Sequence, residues 1–421
     1  MMRKILIIGA GKSTSYLLDY LLGKAEEEKL EITIGDINPS AIPAAVADHK
    51  HCSVIALDIF NQTERTNAIS NADIVISMLP ARFHIKVAED CVVHKKHLVT
   101  ASYVSPELLA LDKEVKANNL VFMNEIGLDP GVDHMSAMEV IDRIRDKGGK
   151  IILFESFCGG LVAPEHDNNL WNYKFTWNPR NVVLAGQGGT AKFIQEGTYK
   201  YIPYHRLFRR SEFFEVEGYG RFEGYANRDS LGYREAYGLQ NALTIYREFI
   251  NLFLPYSPTD SVELKLRHYL KLDQDDIRWD KLLELNIFDS TKFINIPNAT
   301  PAQALQKILE DSWTLKAEEK DMIVMYHKFG YELNGEKKQI DSKLVVTGEN
   351  QTFTAMAKTV GLPVAMAALK ILNGKITTPG VQIPISKEVY EPILEELKTY
   401  GVNFKEYEVP YLGYNPNSVI N

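Results

Sequence analysis

The chain opens on an apolar run, Ile5 to Ile8, that stops at Gly9-Ala10-Gly11 and gives way to a helical spacing with Leu17, Leu18, Leu21, Leu22 and Ala25 on one face. An unbroken apolar run of this length reads as a strand buried on both faces, and the 3.6-residue spacing as a helix packed on it. The alternation continues. Strands are expected over Glu31 to Ile34 (ending near Asp36), Ser53 to Leu57 (ending at Asp58), Asp73 to Pro80, His97 to Thr100 and Leu120 to Met123. Helices are expected over Phe83 to Lys95 and over Pro106 to Asn118, with Ser105 as N-cap and Pro106 at the first helical position. Six strands joined by short helices make a Rossmann-type doubly wound parallel sheet, and ligands of such sheets sit beyond the carboxyl ends of the strands.

The pattern changes at Gly127-Leu-Asp-Pro-Gly-Val-Asp-His134. A helix from Met135 to Asp146 and a strand from Lys150 to Phe157 lead into Cys158-Gly159-Gly160. Residues 161 to 240 are rich in Gly, Asn, Arg and aromatics and read as long functional loops. The text is helical from about 241 to 319. Two strand patterns then flank Asn334-Gly335, a hairpin signal. Ala355 to Leu372 is an apolar, buried helix with Gly374 as its cap. The expected organisation is a Rossmann domain over 1–126 with the segment 355–421 packing back on it, an α/β substrate domain over 127–240 and 320–354, and a helical insertion over 241–319.

With 421 residues the chain exceeds one ordinary core, so two or three domains are required. A formal charge of -8 argues against nucleic acid or an anionic membrane as partner, and means an anionic substrate needs a local basic pocket. No apolar run is expected to be long enough to span a bilayer, and the first strand leaves no room for a signal peptide. Cys52, Cys91 and Cys158 are few and scattered, which fits a reducing cytoplasm. The histidines show no metal spacing, and no nucleophile elbow or Walker loop occurs, so no metal is expected. The chemistry should belong to a nicotinamide, with small-molecule substrate handling left to the protein.

Gly9 permits a tight turn, and Gly11 lets the backbone approach a pyrophosphate held by the helix start. Thr14 stands where the third fingerprint glycine would be. Asp36, at the end of the second strand, suits the ribose hydroxyls of NAD and repels a 2′-phosphate. Further along, Asp129 is a base, an amine anchor or an Asx-turn residue. Glu125 is a ligand or a cap, His134 a proton shuttle or a packed core histidine, and Cys158 a thiol acid–base or a small filler. Lys174, Arg180, Arg228 and Arg234 fall in the loop-rich stretch, each a carboxylate partner or a paired surface charge.

At this point the residues match a known family. Gly9-Ala-Gly11-Lys-Ser-Thr14, Thr100-Ala-Ser-Tyr-Val-Ser-Pro106, Met123-Asn-Glu-Ile-Gly-Leu-Asp-Pro-Gly-Val-Asp-His134, Ser156-Phe-Cys-Gly-Gly160, Asn172-Tyr-Lys-Phe-Thr-Trp-Asn-Pro-Arg180 and Tyr225-Ala-Asn-Arg-Asp-Ser230 resemble, in order, the saccharopine dehydrogenase family, L-glutamate-forming branch. The resemblance implies oxidative cleavage of saccharopine to glutamate and 2-aminoadipate 6-semialdehyde with NAD(P)+. Hydride would leave the carbon beside the secondary amine, and hydrolysis of the imine would follow. It implies that Ser102, Tyr103, Asp129 and Arg228 line the substrate pocket, with Lys174 and Arg180 as helpers. Asp129 and Cys158 compete for the proton-handling role. Gly9, Gly11, Lys12, Ser13, Thr14, Asp36, Asp58, Ser77, Leu79, Pro80 and Ser102 would hold the cofactor. Gly35-Asp36-Ile-Asn38 favours NAD, and a nearby Lys50 keeps NADP open. A carboxyspermidine-type dehydrogenase and a non-catalytic NAD-binding regulator on the same scaffold are the alternatives. The long aromatic-rich loops permit a homodimer.

Overall fold

The computed structural model describes residues 2–420 except 186–188, 204–205, 208–210, 227–228, 243, 249–266, 268–271, 274, 290 and 414–418. The chain forms two units. The first comprises Met1–Lys150, Leu344–Val346 and Thr352–Lys405; the second comprises Ile151–Lys343, Thr347–Gln351 and Glu406–Asn421.

The first unit is built on β1 (Arg3–Ile8), β2 (Leu30–Asp36), β3 (Cys52–Ala56), β4 (Ile74–Ser77), β5 (His97–Val99) and β6 (Val121–Met123). Their spatial order is β6-β5-β4-β1-β2-β3, all parallel, so the winding reverses between β1 and β4. β1 lies in the middle, and Ile5 to Ile8 are almost completely buried, as a strand covered on both faces requires. A seventh parallel strand, Gly380–Gln382, extends the sheet beside β6, beyond the six expected. It is only three residues long, too short for a periodicity to show. Gly380 sits at φ +130°, and a Cβ there would lie 2.8 Å from the Asp112 carboxylate that accepts the next N–H, that of Val381.

The helix expected over Pro106 to Asn118 is two short helices, Pro106–Ala110 and Asp112–Ala117, parted at Leu111. Ser105 caps the first, its Oγ accepting the Leu108 N–H at 3.2 Å. The Val132–Asp146 helix belongs to the first unit, so that unit runs to Lys150 rather than 126. It packs against the Lys387–Thr399 helix, and Tyr390 donates to Asp142 at 2.8 Å.

The Ala355–Leu372 helix packs on the Ser15–Lys24 helix. Gly361 allows the approach: a Cβ there would stand 2.9 Å from the Leu17 nitrogen. By length and composition this helix could cross a membrane, which corrects the expectation that no run is long enough. It is instead largely buried within its unit, and its Lys370 is neutralised by Glu396 at 2.6 Å.

The second unit carries a seven-stranded sheet in the order Lys405–Pro410, Glu336–Thr347, Asp321–Leu333, Lys150–Val162, Thr244–Glu248, Ala191–Gln195, Thr198–Ile202. The central hairpin turns at Asn334 and Gly335, both at positive φ. The stretch expected to be loops, 161 to 240, holds strands Ala191–Gln195, Thr198–Ile202, Ser211–Val216 and Gly220–Tyr225 and a helix, Pro179–Ala185. Glu196-Gly197 adopts the same positive-φ pair as Asn-Gly, and its lysine-rich, half-exposed flanking strands hide the alternation. Within 241–319 the described residues include helices Ile277–Glu284 and Pro301–Trp313 and also a strand, Thr244–Glu248, parallel to Lys150–Val162. The Pro301–Trp313 helix begins with a Thr300/Gln303 capping box. It packs on the Pro179–Ala185 helix through a cluster of Phe175, Val182, Leu285, Leu309 and Trp313.

Candidate active site

The carboxyl edge of the first unit's sheet gathers most of the residues singled out from the sequence. After β1, Gly9 takes φ +92°, and a Cβ there would press to 3.3 Å on the Met78 backbone at the end of β4. Gly11 differs: a Cβ on it would meet nothing within 4 Å, so the turn faces open space where the Lys12–Thr14 turn and the Ser15–Lys24 helix begin. That is the cradle a pyrophosphate needs, with bare backbone and the positive end of a helix. Thr14 closes the turn from beneath, its hydroxyl donating to the Gly11 carbonyl at 2.7 Å.

Asp36 holds two loops. Its Oδ2 accepts the Ala10 N–H at 2.9 Å and its Oδ1 the Asn38 N–H at 2.8 Å. The carboxylate is thereby fixed beside the glycine turn. Lys50 forms an exposed ion pair with Glu26. Asp58 accepts the Phe60 N–H at 2.9 Å and shapes the turn after β3.

Ser77 ends β4, with Leu79 and Pro80 following, and the Met78 N–H donates to the Ile8 carbonyl at 2.9 Å. Ser102 and Tyr103 follow β5. The Tyr103 hydroxyl, on an exposed ring, lies 3.5 Å from Asp129 Oδ1, a weak hydrogen bond from the loop after β6. Asp129-Pro130 is cis, and Gly131 at φ +145° allows no Cβ, which would fall 2.1 Å from the Gly127 oxygen.

Glu125 and His134 are both buried beneath this loop. Glu125 accepts the Val104 N–H at 2.9 Å through Oε1 and meets His134 Nε2 at 2.9 Å through Oε2, while its own N–H donates to the Ser102 carbonyl at 3.0 Å. Together they brace the Ser102–Val104 segment. A histidine that sequence reasoning passed over, His84, bridges Ser77 (2.8 Å) and Ser102 (2.7 Å). No local signal marks it, because its partners come from two other strand ends.

In the second unit, Cys158 is half-buried on Lys150–Val162 and lines a small pocket with Phe157, Leu161, Phe214 and Phe222. Lys174 is buried and bonded to Glu319 at 2.5 Å. Burial alone would raise the Glu319 carboxyl, but hydrogen bonds from Lys174, the Lys316 N–H and Asn168 hold it at about 2. Lys174 is therefore engaged inside the unit rather than offered to a substrate. Arg180 lies in the Pro179–Ala185 helix with its Nη1 buried and without a hydrogen-bond partner among the described residues. Arg234 donates to the Leu239 carbonyl and to the Tyr199 hydroxyl. Arg228 lies outside the described residues.

Two family profiles match in tandem: the saccharopine dehydrogenase NADP binding domain over residues 5–123 and the saccharopine dehydrogenase C-terminal domain over 127–402. The saccharopine dehydrogenase [NADP(+), L-glutamate-forming] of Saccharomyces cerevisiae is 32% identical over 96% of this chain and 99% of its own. The bovine mitochondrial alpha-aminoadipic semialdehyde synthase is 33% identical over 96% of this chain. The chain spans about half the length of that relative, 47%. Among solved structures, the apo saccharopine dehydrogenase (L-Glu forming) of S. cerevisiae superposes with a TM-score of 0.85 at 29% identity, covering 97% of this chain and 100% of that one.

Proposed function

The chain belongs to the saccharopine dehydrogenase family, and from that premise we propose that it is itself an L-glutamate-forming saccharopine dehydrogenase. The reaction is saccharopine + NAD(P)+ + water giving L-glutamate, 2-aminoadipate 6-semialdehyde, NAD(P)H and a proton, or its reverse. The observation that carries this reading is the match to the yeast enzyme along 96% of this chain and 99% of that one.

A nicotinamide dinucleotide is the cofactor, and the open face of Gly11, the helix start and Asp36 fit it. Gly9 to Thr14 would hold its pyrophosphate, Asp36 its adenosine ribose, and Leu79, Pro80 and Ser102 its nicotinamide half; Ser77, fully buried, would act through His84 rather than touch it. The fungal relatives are named for NADP(+). The fixed carboxylate of Asp36 favours NAD here. The reaction is placed in the cytoplasm, although the mammalian relatives are named as mitochondrial.

The bound nicotinamide supplies the hydride acceptor. What remains for the side chains is to hold the substrate and move one proton, because the secondary amine must be neutral before its neighbouring carbon–hydrogen bond breaks. Asp129 beside a cationic amine stays ionised, which suits it to anchoring that amine, with the Tyr103 hydroxyl steering the carboxylate. Cys158 is the competing proton carrier. Saccharopine carries three carboxylates. Arg228 is assigned to one of them, with Arg180 as helper. Lys174 drops out, because Glu319 already neutralises it.

The test is near-ultraviolet absorbance of reduced cofactor with saccharopine, run with NAD+ and with NADP+. A saccharopine-dependent rise is expected. No rise with either dinucleotide refutes the reading.

A further inference from the structure

His84 opens the His84–His94 helix, and its ring is 1% exposed. It touches three hydroxyls from two strand ends. Ser77 Oγ lies 2.8 Å from Nδ1, Ser102 Oγ 2.7 Å from Nε2 and Thr100 Oγ1 3.2 Å from Nε2. We propose that His84 is a positioning residue for the reaction, orienting the Ser102 hydroxyl toward its ligand and tying the loop after β5 to the end of β4. The proposal rests on the reading above, in which Ser102 contacts cofactor and substrate.

Three observations carry it. Ser102 is half-exposed, and among the described residues its Oγ is bonded to this ring. Ser77 is fully buried and its hydroxyl likewise meets the ring. A core position filled for packing alone would be apolar, since each buried polar group must otherwise find a partner. Burial also pushes the His84 pKa down to about 4, so the ring is neutral at neutral pH, with one nitrogen donating and the other accepting.

The tautomer then sets the polarity of Ser102. With the proton on Nε2, the ring donates to Ser102 Oγ, and the serine O–H is left for a phosphate or carboxylate oxygen. With the proton on Nδ1, donated to Ser77, Ser102 donates to Nε2 and turns lone pairs toward a ligand N–H such as a carboxamide. The chain of hydroxyls ends at buried Ser77, so no net proton leaves by this route. His84 aims a hydrogen bond and does not serve as an acid or base.

The side chains of Gln and Asn separate the two links, because a Gln amide reaches the Nε2 position and an Asn amide the Nδ1 position. Ser102→Ala is expected to lower kcat/KM for saccharopine about tenfold, one hydrogen bond's worth. His84→Asn should do the same. His84→Gln should stay within about threefold of wild type, and His84→Asn should add less than about twofold in the Ser102→Ala background. The proposal is overturned if His84→Asn costs the same factor in both backgrounds, if folded His84→Gln is as impaired as His84→Asn, or if Ser102→Ala is fully active. Should His84→Asn not fold, Ser77→Ala takes its place; it should cost a few-fold in the wild type and nothing in Ser102→Ala. If the wild type turns over no saccharopine, the functional reading has failed. The same cycle is then read in dinucleotide affinity by fluorescence titration, where the same non-additivity is expected and additivity overturns the proposal.

Discussion

Asp36→Ser is the substitution that bears most directly on the cofactor. The wild-type carboxylate is pinned by the Ala10 and Asn38 N–H groups at 2.9 and 2.8 Å, so it cannot swing aside for a 2′-phosphate without releasing both. In the proposed complex a phosphate on the ribose hydroxyl beside this carboxylate would stand roughly 4 Å from it. Two unit charges at that separation repel by about 1 kcal/mol in water and about 4 kcal/mol at an effective dielectric near 20. Asp36 is half-buried, between those limits. The wild type should therefore favour NAD+ over NADP+ in kcat/KM by a factor between about five and a thousand. Serine keeps a short acceptor for the Ala10 N–H but removes the charge. NAD+ loses a charge-assisted hydrogen bond, about tenfold, while NADP+ is relieved of the repulsion. The NAD+/NADP+ ratio, from initial rates of cofactor reduction at saturating saccharopine, should fall at least about tenfold. A wild type that prefers NADP+, or a ratio that Asp36→Ser leaves alone, refutes the reasoning.

The remaining predictions concern other parts of the molecule. Glu319→Gln leaves the buried Lys174 ammonium without a counter-charge and should destabilise the protein by about 3–5 kcal/mol in thermal melting, whereas a Lys174→Met/Glu319→Leu pair should recover most of that. The Glu319 carboxyl, held at about 2, contributes stability that is complete above its ordinary value of 4.5 and is lost as pH falls toward 2. His84 is lowered from 6.5 to about 4, so its contribution is present above 6.5 and is lost as pH falls from there to 4. At full extent that is about 3 kcal/mol, and the melting temperature of His84→Gln should be correspondingly flatter across that window. Asp129→Asn should cut kcat/KM for saccharopine by about a hundredfold or more while leaving dinucleotide affinity within about twofold; equal losses in both would remove Asp129 from the substrate side. Gly361→Val, forced against the Leu17 backbone, should lower the melting temperature by several degrees, and an unchanged melt would mean the two helices separate without cost.

What the sequence made legible follows the range of the interactions involved. The parallel sheet was readable because each strand, Ile5 to Ile8 above all, carries its own apolar run and ends at its own turn chemistry. The glycine turn and Asp36 were readable for the same reason, since the groups that give them meaning lie within a single βαβ unit. The hairpin at Asn334-Gly335 announced itself, but Glu196-Gly197 did not, because glutamate at positive φ has no compositional mark. The strand Gly380–Gln382 exists only through β6 and the Asp112 carboxylate, more than 250 residues earlier, and three residues cannot hold a period. Side-chain partners were the least legible. Lys174 read as a substrate-carboxylate partner or a paired surface charge until Glu319, 145 positions on, was beside it. His84 read as one of several unassigned histidines until β4 and β5 brought Ser77 and Ser102 to its two nitrogens. In each case the local pattern fixes where the backbone goes, and the backbone then decides which distant polar groups must satisfy one another once water is gone. That dependence makes such pairs good places to look for function that no motif records: a buried polar group with partners from two strand ends is held there by the fold, and its removal reports on whatever that fold is holding.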